Sequence, residues 1–170
     1  MKIAQLTPAE FSLAAARLGE ILADAVEAGA GVSFMLPFSK EDGAAYWRGL
    51  SDAVASGAKN ILVAKEHDTI AGVVILEKAW APNQPHRGEV AKMLVHRDFR
   101  RRGFGTLLIE SLLEKARAMG LTLITFDAVA GSPAETFYRG LGFTCAGCIP
   151  GYALSPAGKL DDTTIFYMKL

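Results

Sequence analysis

The sequence has little cysteine and no long apolar run, and its charges cancel. Only two cysteines occur in 170 residues, which is too few for a disulfide framework. No apolar stretch approaches the roughly 18 residues needed to cross a bilayer, and the first residues lack the pattern of a signal peptide. Eighteen basic residues balance eighteen acidic ones, so no overall field attracts nucleic acid or an anionic membrane. We therefore expect a cytoplasmic protein that binds neither.

The two cysteines, Cys145 and Cys148, form a CxxC motif of the kind found in redox and zinc sites. Here they lie in a predicted strand, where residues three apart point to opposite faces. The sequence has no second CxxC, and its three histidines share no ligand spacing with this one. We interpret both cysteines as structural or incidental thiols and predict no metal site.

Apolar residues are abundant, at 51% of a chain whose length is typical of one domain. No linker or internal repeat divides the sequence, so we predict one domain over residues 1–170 with an α+β (α/β) fold and a mixed sheet. The predicted strands are 2–6, 60–66, 69–77, 87–95, 121–126, one after Phe143, and 163–170. The predicted helices are 9–28, 39–56, 103–119 and 133–139.

The most informative stretch is residues 90–108, VAKMLVHRDFRRRGFGTLL. An apolar strand leads through an arginine cluster to Gly103 and Gly105, and then into an amphipathic helix. Backbone N–H groups at a helix start carry partial positive charge, glycines let an anion approach closely, and arginines add fixed cations. The stretch therefore predicts a polyphosphate-binding site.

Two other phosphate-binding motifs fit this stretch less well. A Walker A loop ends in Gly-Lys-Ser/Thr, whereas residues 103–106 read GFGT. A Rossmann fingerprint has a third glycine where Leu108 stands, and a tight turn where residues 96–102 include four arginines. On this stretch alone a plainer alternative stays open, in which the arginines form a solvated turn and the glycines merely start a helix.

These residues resemble the GCN5-related N-acetyltransferases (GNAT), whose central motif is a strand, Arg/Gln-x-x-Gly-x-Gly/Ala and a helix. A second block of that family, Asn-x-x-Ala-x-x-x-Tyr-x-x-x-Gly-Phe, matches Ala134, Tyr138 and residues 142–143 in GSPAETFYRGLGF. The asparagine position is Gly131 here, and Ser132 is the candidate to replace its contact with the cofactor. RGEVAKMLV, AGSPAETFY and PGYALSPAGKL further resemble a toxin-resistance subgroup of the family.

The resemblance implies a central mixed, mostly antiparallel sheet of about seven strands, with a splayed parallel pair at 87–95 and 121–126 and about four flanking helices. It also implies acetyl-coenzyme A as the cofactor, bound between those two strands. The cofactor-binding residues that it implies are Met93, Leu94, Val95, Arg100, Arg101, Arg102, Gly103, Phe104, Gly105, Thr106 and Ser132.

Acetyl transfer to an amine needs a neutral amine, a stabilised oxyanion and a proton for the departing thiolate. A primary amine, with a pKa of about 10, is mostly ammonium near neutral pH. Glu89 and Asp127 are candidates to accept its proton or to bind the ammonium, and the Tyr138 phenol is the candidate general acid. The family implies that the backbone N–H of Leu94 polarises the thioester carbonyl. The structural alternatives are a surface carboxylate for Glu89, a loop cap for Asp127 and core packing for Tyr138.

Candidate acceptor-binding residues lie in three predicted loops, although each has packing as an alternative. Two carboxylates favour a small cationic or amino-acid-like amine, and the subgroup resemblance implies a tabtoxin-like β-lactam as one candidate. We predict an acetyl-coenzyme A-dependent N-acetyltransferase, monomeric or homodimeric, that acts by direct transfer in a ternary complex and confers antibiotic or toxin resistance. A non-catalytic acyl-coenzyme A sensor and an enzyme acting on a protein amine stay open. The candidate acceptor-binding residues are Phe34, Met35, Trp80 and Tyr152.

Overall fold

A seven-stranded sheet forms the centre of the fold in the computed structural model, which describes residues 1–170. The strands are β1 (Lys2–Gln5), β2 (Lys59–Glu66), β3 (Thr69–Lys78), β4 (Arg87–Val95), β5 (Leu123–Val129), β6 (Thr144–Leu154) and β7 (Leu160–Lys169). The helices are α1 (Pro8–Glu27), α2 (Lys40–Arg48), α3 (Ser51–Ala55), α4 (Phe104–Ala118) and α5 (Pro133–Gly140), with a 3-10 turn at Arg97–Phe99. None of these helices has the length and apolar character needed to span a membrane.

The strand order is β1-β2-β3-β4-β5-β7-β6, and β4 and β5 are the one parallel pair. Their pairing is short, because it runs only from Arg87 opposite Leu123 to Glu89 opposite Thr125. Both strands continue past this point without pairing to each other. The predicted α+β fold with a splayed parallel pair is confirmed, with five α-helices where about four were expected.

Two apolar cores lie on opposite faces of the sheet, because successive side chains of a strand point to opposite sides. On one face α1 and α2 pack against the sheet through residues such as Phe11 and Trp47. On the other face α4 packs through Leu108 and Leu112, in a core that also contains Phe126 of β5. Burying a large apolar side chain of this kind stabilises the fold by about 1.5–3 kcal/mol. The even residues of β5, Ile124, Phe126 and Ala128, therefore face the core that contains α4.

Helices α1 and α2 approach each other through two glycines. A Cβ atom at Gly19 would lie 2.6 Å from the carbonyl oxygen of Lys40, and one at Gly43 would lie 2.5 Å from that of Gly19. Backbone atoms cannot move aside as a flexible side-chain end can, so a larger residue at either position would push the helices apart. This close contact fixes the position of the connection between α1 and α2. The connection reaches the open end of the β4–β5 splay, because its Gly31 lies against Val129 of β5.

The predicted helix 39–56 is wrong in its extent, since the chain forms α2 and α3 with a break between them. At the break the N–H of Leu50 bonds to the carbonyl oxygen of Trp47 in a tighter i−3 turn. Gly49 is the C-cap of α2, because glycine has a low helix propensity and commonly ends helices.

Two predictions at the other edge of the sheet are also wrong. Tyr152 lies within β6 and not in a loop, because β6 and β7 pair as far as Leu154 opposite Leu160. Cys145 and Cys148 share one face, since they oppose Phe166 and Thr164, which are two residues apart on β7. A β-bulge after Cys145 supplies the extra residue, so the spacing of three does not reverse the side chains. Both thiols are free.

Candidate active site

The first turn of α4 has backbone donors without a side-chain cap. Three other helices are capped at their N-termini, α1 by Thr7, α2 by Ser39 and α5 by Ser132. Gly103, the N-cap residue of α4, has no side chain to play this part, and the first turn contains no acidic residue. Gly103 and Arg101 both have positive φ, +85° and +61°, and such conformations direct successive N–H groups into a concave anion site. The start of α4 is therefore suited to bind a phosphate.

The three adjacent arginines are not equivalent. Arg100 donates from Nη2 to Asp24 at 2.7 Å and from Nε to the carbonyl oxygen of Val95 at 2.9 Å. Arg102 forms an ion pair with Glu66 and stacks over two phenylalanine rings. Only Arg101 has no intramolecular hydrogen bond or ion pair. Two of the predicted cofactor-binding arginines thus hold the turn in shape, and the side chain of the third is available for a ligand.

Asp24 is a positioning residue that the sequence analysis missed. Its side chain is only 5% exposed, yet it accepts the N–H of Arg97 at 3.1 Å and contacts the guanidinium groups of Arg97 and Arg100. A buried carboxylate that collects several donors anchors the chain that supplies them. An acid on the otherwise apolar stripe of α1 was the available signal. The contact attaches the turn before α4 to the opposite side of the sheet.

Glu89 is held by a neighbouring arginine at the last paired position of β4 and β5. Arg87 donates from Nη1 to Glu89 at 2.5 Å and to the hydroxyl of Thr125 at 2.7 Å, while its other nitrogens bind Gln84. This guanidinium, also missed from the sequence, joins the two strands just before they separate. Glu89 lies on the predicted strand, but its carboxylate is already paired.

Asp127 lies two residues beyond Thr125 on the same face of β5, and its carboxylate forms no ion pair. The prediction that it follows the strand is wrong, because β5 continues to Val129 through pairing with β7. Partial burial raises the pKa of the Asp127 carboxyl, the charge of Lys92 opposes that rise, and Glu89 adds to it. A carboxylate with a raised pKa and no partner is better suited than Glu89 to accept a proton.

Tyr138 lies on the other side of β5, in the core that contains α4. Its ring packs 4.4 Å from that of Phe126 and 5.9 Å from that of Phe143, centroid to centroid. The residue is 6% exposed, and its hydroxyl makes no intramolecular hydrogen bond. The hydroxyl still reaches solvent, because the indole nitrogen of Trp47 is the one fully buried side-chain polar atom without a hydrogen-bond partner. Burial and the charge of Asp127 raise the pKa of this phenol well above its usual value. The hydroxyl is thus a protonated donor at neutral pH.

Ser132 uses its hydroxyl to begin α5. The hydroxyl accepts the N–H of Glu135 at 3.2 Å and donates to the carbonyl oxygen of Val129 at 2.6 Å. Its only proton is therefore engaged in the fold. Its predicted contact with the cofactor stays a prediction, and the remaining acceptor capacity of the oxygen is what the structure offers for it.

The candidate acceptor-binding residues lie in different surroundings. The ring centroid of Phe34 lies 4.6 Å from that of Phe38 and 5.1 Å from that of Tyr46. The ammonium group of Lys92 lies over the Phe34 ring. Met35 is adjacent and partly exposed. By contrast, Trp80 is 89% exposed between β3 and β4, and Tyr152 is 53% exposed on the edge strand β6. Phe34 therefore lies beside Lys92, whereas Trp80 and Tyr152 project into solvent.

The uncapped start of α4 thus lies beside two splayed parallel strands, with Asp127 and Tyr138 on opposite sides of β5. The sequence profile of the acetyltransferase (GNAT) family matches residues 30–143, about two thirds of the chain. The chain therefore belongs to the acetyltransferase (GNAT) family, which confirms the predicted family and enzyme class.

Relatives of known activity match part of this chain. It is 35% identical over 93 residues to an L-methionine sulfoximine/L-methionine sulfone acetyltransferase of Pseudomonas paraeruginosa, and 36% identical over 93 residues to the protein of that name from Pseudomonas aeruginosa. Each match covers 54% of this chain and 54% of the relative, so the chain spans about half the length of these relatives.

Solved structures match the whole chain at low identity. A ribosomal-protein-alanine N-acetyltransferase from Brucella melitensis superposes with a TM-score of 0.83 at 22% identity, covering 100% of both chains. The Salmonella typhimurium protein yncA, solved with its cofactor acetyl-CoA, has a TM-score of 0.77 at 19% identity and covers 100% of this chain and 94% of its own. These likenesses confirm the fold.

Proposed function

We propose that this protein is an acetyl-coenzyme A-dependent N-acetyltransferase whose acceptor is the primary amine of a small, amino-acid-like molecule. The observation that carries the proposal is the position of an unpaired carboxylate, Asp127, and an unbonded phenol, Tyr138, beside the splay between β4 and β5. The Pseudomonas relatives, named for acetylating L-methionine sulfoximine and sulfone, support the acceptor class.

The residues at the start of α4 fit the phosphates of the coenzyme. The free N–H groups of residues 101–106, the absence of side chains at Gly103 and Gly105, and the unpaired guanidinium of Arg101 are all suited to a pyrophosphate. Along β4, residues 93–95 lie past the end of the pairing with β5, so their edge toward β5 has backbone groups without a strand partner. When bound, the coenzyme supplies an acetyl group activated as a thioester.

The two side chains at the splay have complementary tasks. Asp127 binds the acceptor ammonium and takes one of its protons, which leaves a neutral amine. Tyr138 holds a proton at its hydroxyl and donates it to the leaving sulfur. The amine loses its second proton to solvent as the amide forms, and the phenolate regains a proton from solvent. Glu89, paired with Arg87, adds negative charge near the ammonium and keeps the two strands joined below the site. The chain needs no covalent intermediate of its own, so the amine attacks directly.

Thiol release from acetyl-coenzyme A across a panel of amines tests the proposal. The panel contains L-methionine sulfoximine, L-methionine sulfone, a tabtoxin-like β-lactam amine, a lysine-containing peptide and a simple alkylamine. We expect turnover with the amino-acid analogues and a loss of at least about 100-fold in kcat for Asp127→Asn. Glu89→Gln should lose less.

A matched control is available on β7. Tyr167 is a partly buried tyrosine opposite Thr125, and Tyr167→Phe should lower kcat far less than Tyr138→Phe does. Calorimetric binding of the coenzyme without thiol release for any amine would contradict the proposal and favour a binding or sensing domain. Preference for the peptide would point to a protein acceptor.

A further inference from the structure

Lys92 occupies a bulge in the middle of β4. Val73 opposes Leu94 and Ile75 opposes Ala91, so two residues of β4 face a single residue of β3. At this bulge Lys92 has φ of +47°, a left-handed conformation that a non-glycine residue adopts at an energetic cost. Bulges of this kind redirect a side chain at functional sites. This one turns a lysine toward the α1–α2 connection.

The ammonium group of Lys92 is bordered by two aromatic rings. Its Nζ lies 5.4 Å from the ring centroid of Phe34 and 5.5 Å from that of Tyr46, within the range of a cation–π contact. These rings pack edge to face, with centroids 5.1 Å apart. Nζ forms no hydrogen bond or ion pair within the protein, although an ammonium group can donate three hydrogen bonds.

The charges around this ammonium do not neutralise it directly. Burial lowers the pKa of Lys92, and the positive charge of Lys59 lowers it further. The negative charges of Glu77 and Asp127 act in the opposite direction and raise this pKa. Glu77 already forms an ion pair with Lys59, and Asp127 lies beyond ion-pair distance of Lys92. A partly buried cation without a hydrogen-bonded partner is unfavourable by itself and is suited to bind an anion.

We propose that Lys92 binds the carboxylate of the acceptor while Asp127 binds the amine of the same molecule. This inference rests on the proposed function and narrows its substrate to zwitterions such as α-amino acids, in which one carbon separates the two charged groups. The rings of Phe34 and Tyr46 border the ammonium group that would meet the carboxylate. A lysine side chain of a protein has no carboxylate beside its amine, so it would leave Lys92 without a partner.

Binding is measured first, by calorimetry, with L-methionine sulfone and with 3-(methylsulfonyl)propan-1-amine, which is the same molecule without the carboxylate. We expect the wild-type protein to bind the amino acid more tightly by on the order of 30-fold, the range for a hydrogen bond to a charged group. Lys92→Met should abolish this preference, and Lys92→Arg should restore part of it. Lys65→Met, a lysine change on β2 away from Lys92, is the control.

Turnover of the same two amines separates this inference from the proposed function. At a pH above the titration of Asp127 in both proteins, we expect Lys92→Met to reduce kcat/KM for the amino acid by about 30-fold and that for the simple amine by less than about threefold. Thermal melting and coenzyme binding of each variant establish that it is folded.

Three results would overturn the inference. The first is equal kcat/KM for both amines in the wild type, and the second is an equal loss of kcat/KM for both amines in Lys92→Met. In either case the acetyltransferase proposal would stand without a carboxylate site at Lys92. Equal binding of the two ligands by a wild type that releases no thiol would remove both proposals. A carboxylate preference that Lys92→Met abolishes would support the site whether or not thiol is released.

Discussion

The guanidinium of Arg100 donates a hydrogen bond of 2.7 Å to the carboxylate of Asp24, which is buried on α1. The contact joins the turn before α4 to a helix on the opposite face of the sheet. An arginine in a sequence motif that indicates phosphate binding is thus occupied by the fold. Its neighbour Arg101 is the side chain left for the ligand.

We predict that alanine variants of these two arginines separate stability from binding. Arg100→Ala removes a hydrogen bond to a buried carboxylate and should lower the free energy of unfolding by about 1.5–3 kcal/mol. Arg101→Ala should change it by less than about 0.5 kcal/mol and should weaken coenzyme binding about 10-fold, as loss of one phosphate contact. Urea denaturation and calorimetry measure the two quantities. Unaltered coenzyme affinity in Arg101→Ala would refute the assignment.

The raised pKa of Asp127 predicts a pH dependence of catalysis. kcat/KM should increase with pH as Asp127 loses its proton, at a pH above the usual range of an aspartate, because burial disfavours the charged form. Lys92→Met should move this increase to still higher pH, because the Lys92 charge lowers the pKa of Asp127. NMR titration of the Asp127 carboxyl carbon measures both values, and a shift in the other direction in Lys92→Met would contradict the geometry.

The same carboxyl predicts an effect on stability with the opposite sign to its effect on activity. Because the pKa of Asp127 is raised in the folded protein, its contribution to stability is present at low pH and is lost as the pH rises through that pKa. Asp127→Asn should therefore increase the free energy of unfolding at pH 7, by less than about 1 kcal/mol because the carboxyl is only partly buried, while it removes activity. Denaturation at pH 7 and at pH 3 provides the comparison, and the gain should disappear at pH 3.

Tyr138→Phe should leave the fold intact and lower the catalytic activity. The hydroxyl has no intramolecular hydrogen bond and the ring packs in an aromatic core, so its loss should change the free energy of unfolding by less than about 0.5 kcal/mol. Loss of a general acid should lower kcat by about 100-fold or more. Melting curves and thiol release test the two parts, with Tyr167→Phe as the matched change. A large loss of stability would mean that Tyr138 is structural.

Gly19 and Gly140 offer a matched pair of glycine changes in helices. A methyl group at Gly19 would collide with the backbone of α2, so Gly19→Ala should lower the free energy of unfolding by about 1–3 kcal/mol. Nothing lies within 4 Å of the corresponding position at Gly140, so Gly140→Ala should be neutral or stabilise by up to about 1 kcal/mol. Because Gly19 fixes the α1–α2 connection, Gly19→Ala should also weaken binding of the acceptor. Equal stability of the two variants would contradict the contact.

Local patterns in the chain predicted the elements that carry the proposed coenzyme site. The alternation in β4, the glycines before α4 and the motif around Tyr138 are each contained in a short segment, so they could be recognised without knowing what packs against them. The caps at Thr7 and Ser39 follow from the same local chemistry. Side-chain partners from distant segments could not be read in this way.

The arginine-rich stretch and the second block by themselves indicated the family and, through that resemblance, the parallel pair, both of which are confirmed. Tertiary structure alone decided which arginine is free, because Asp24 and Glu66 come from other parts of the chain. It also decided that Asp127 is unpaired while Glu89 is not, and that a bulge turns Lys92 toward Phe34 and Tyr46. Such contacts depend on register and packing between segments tens of residues apart, which no local pattern encodes.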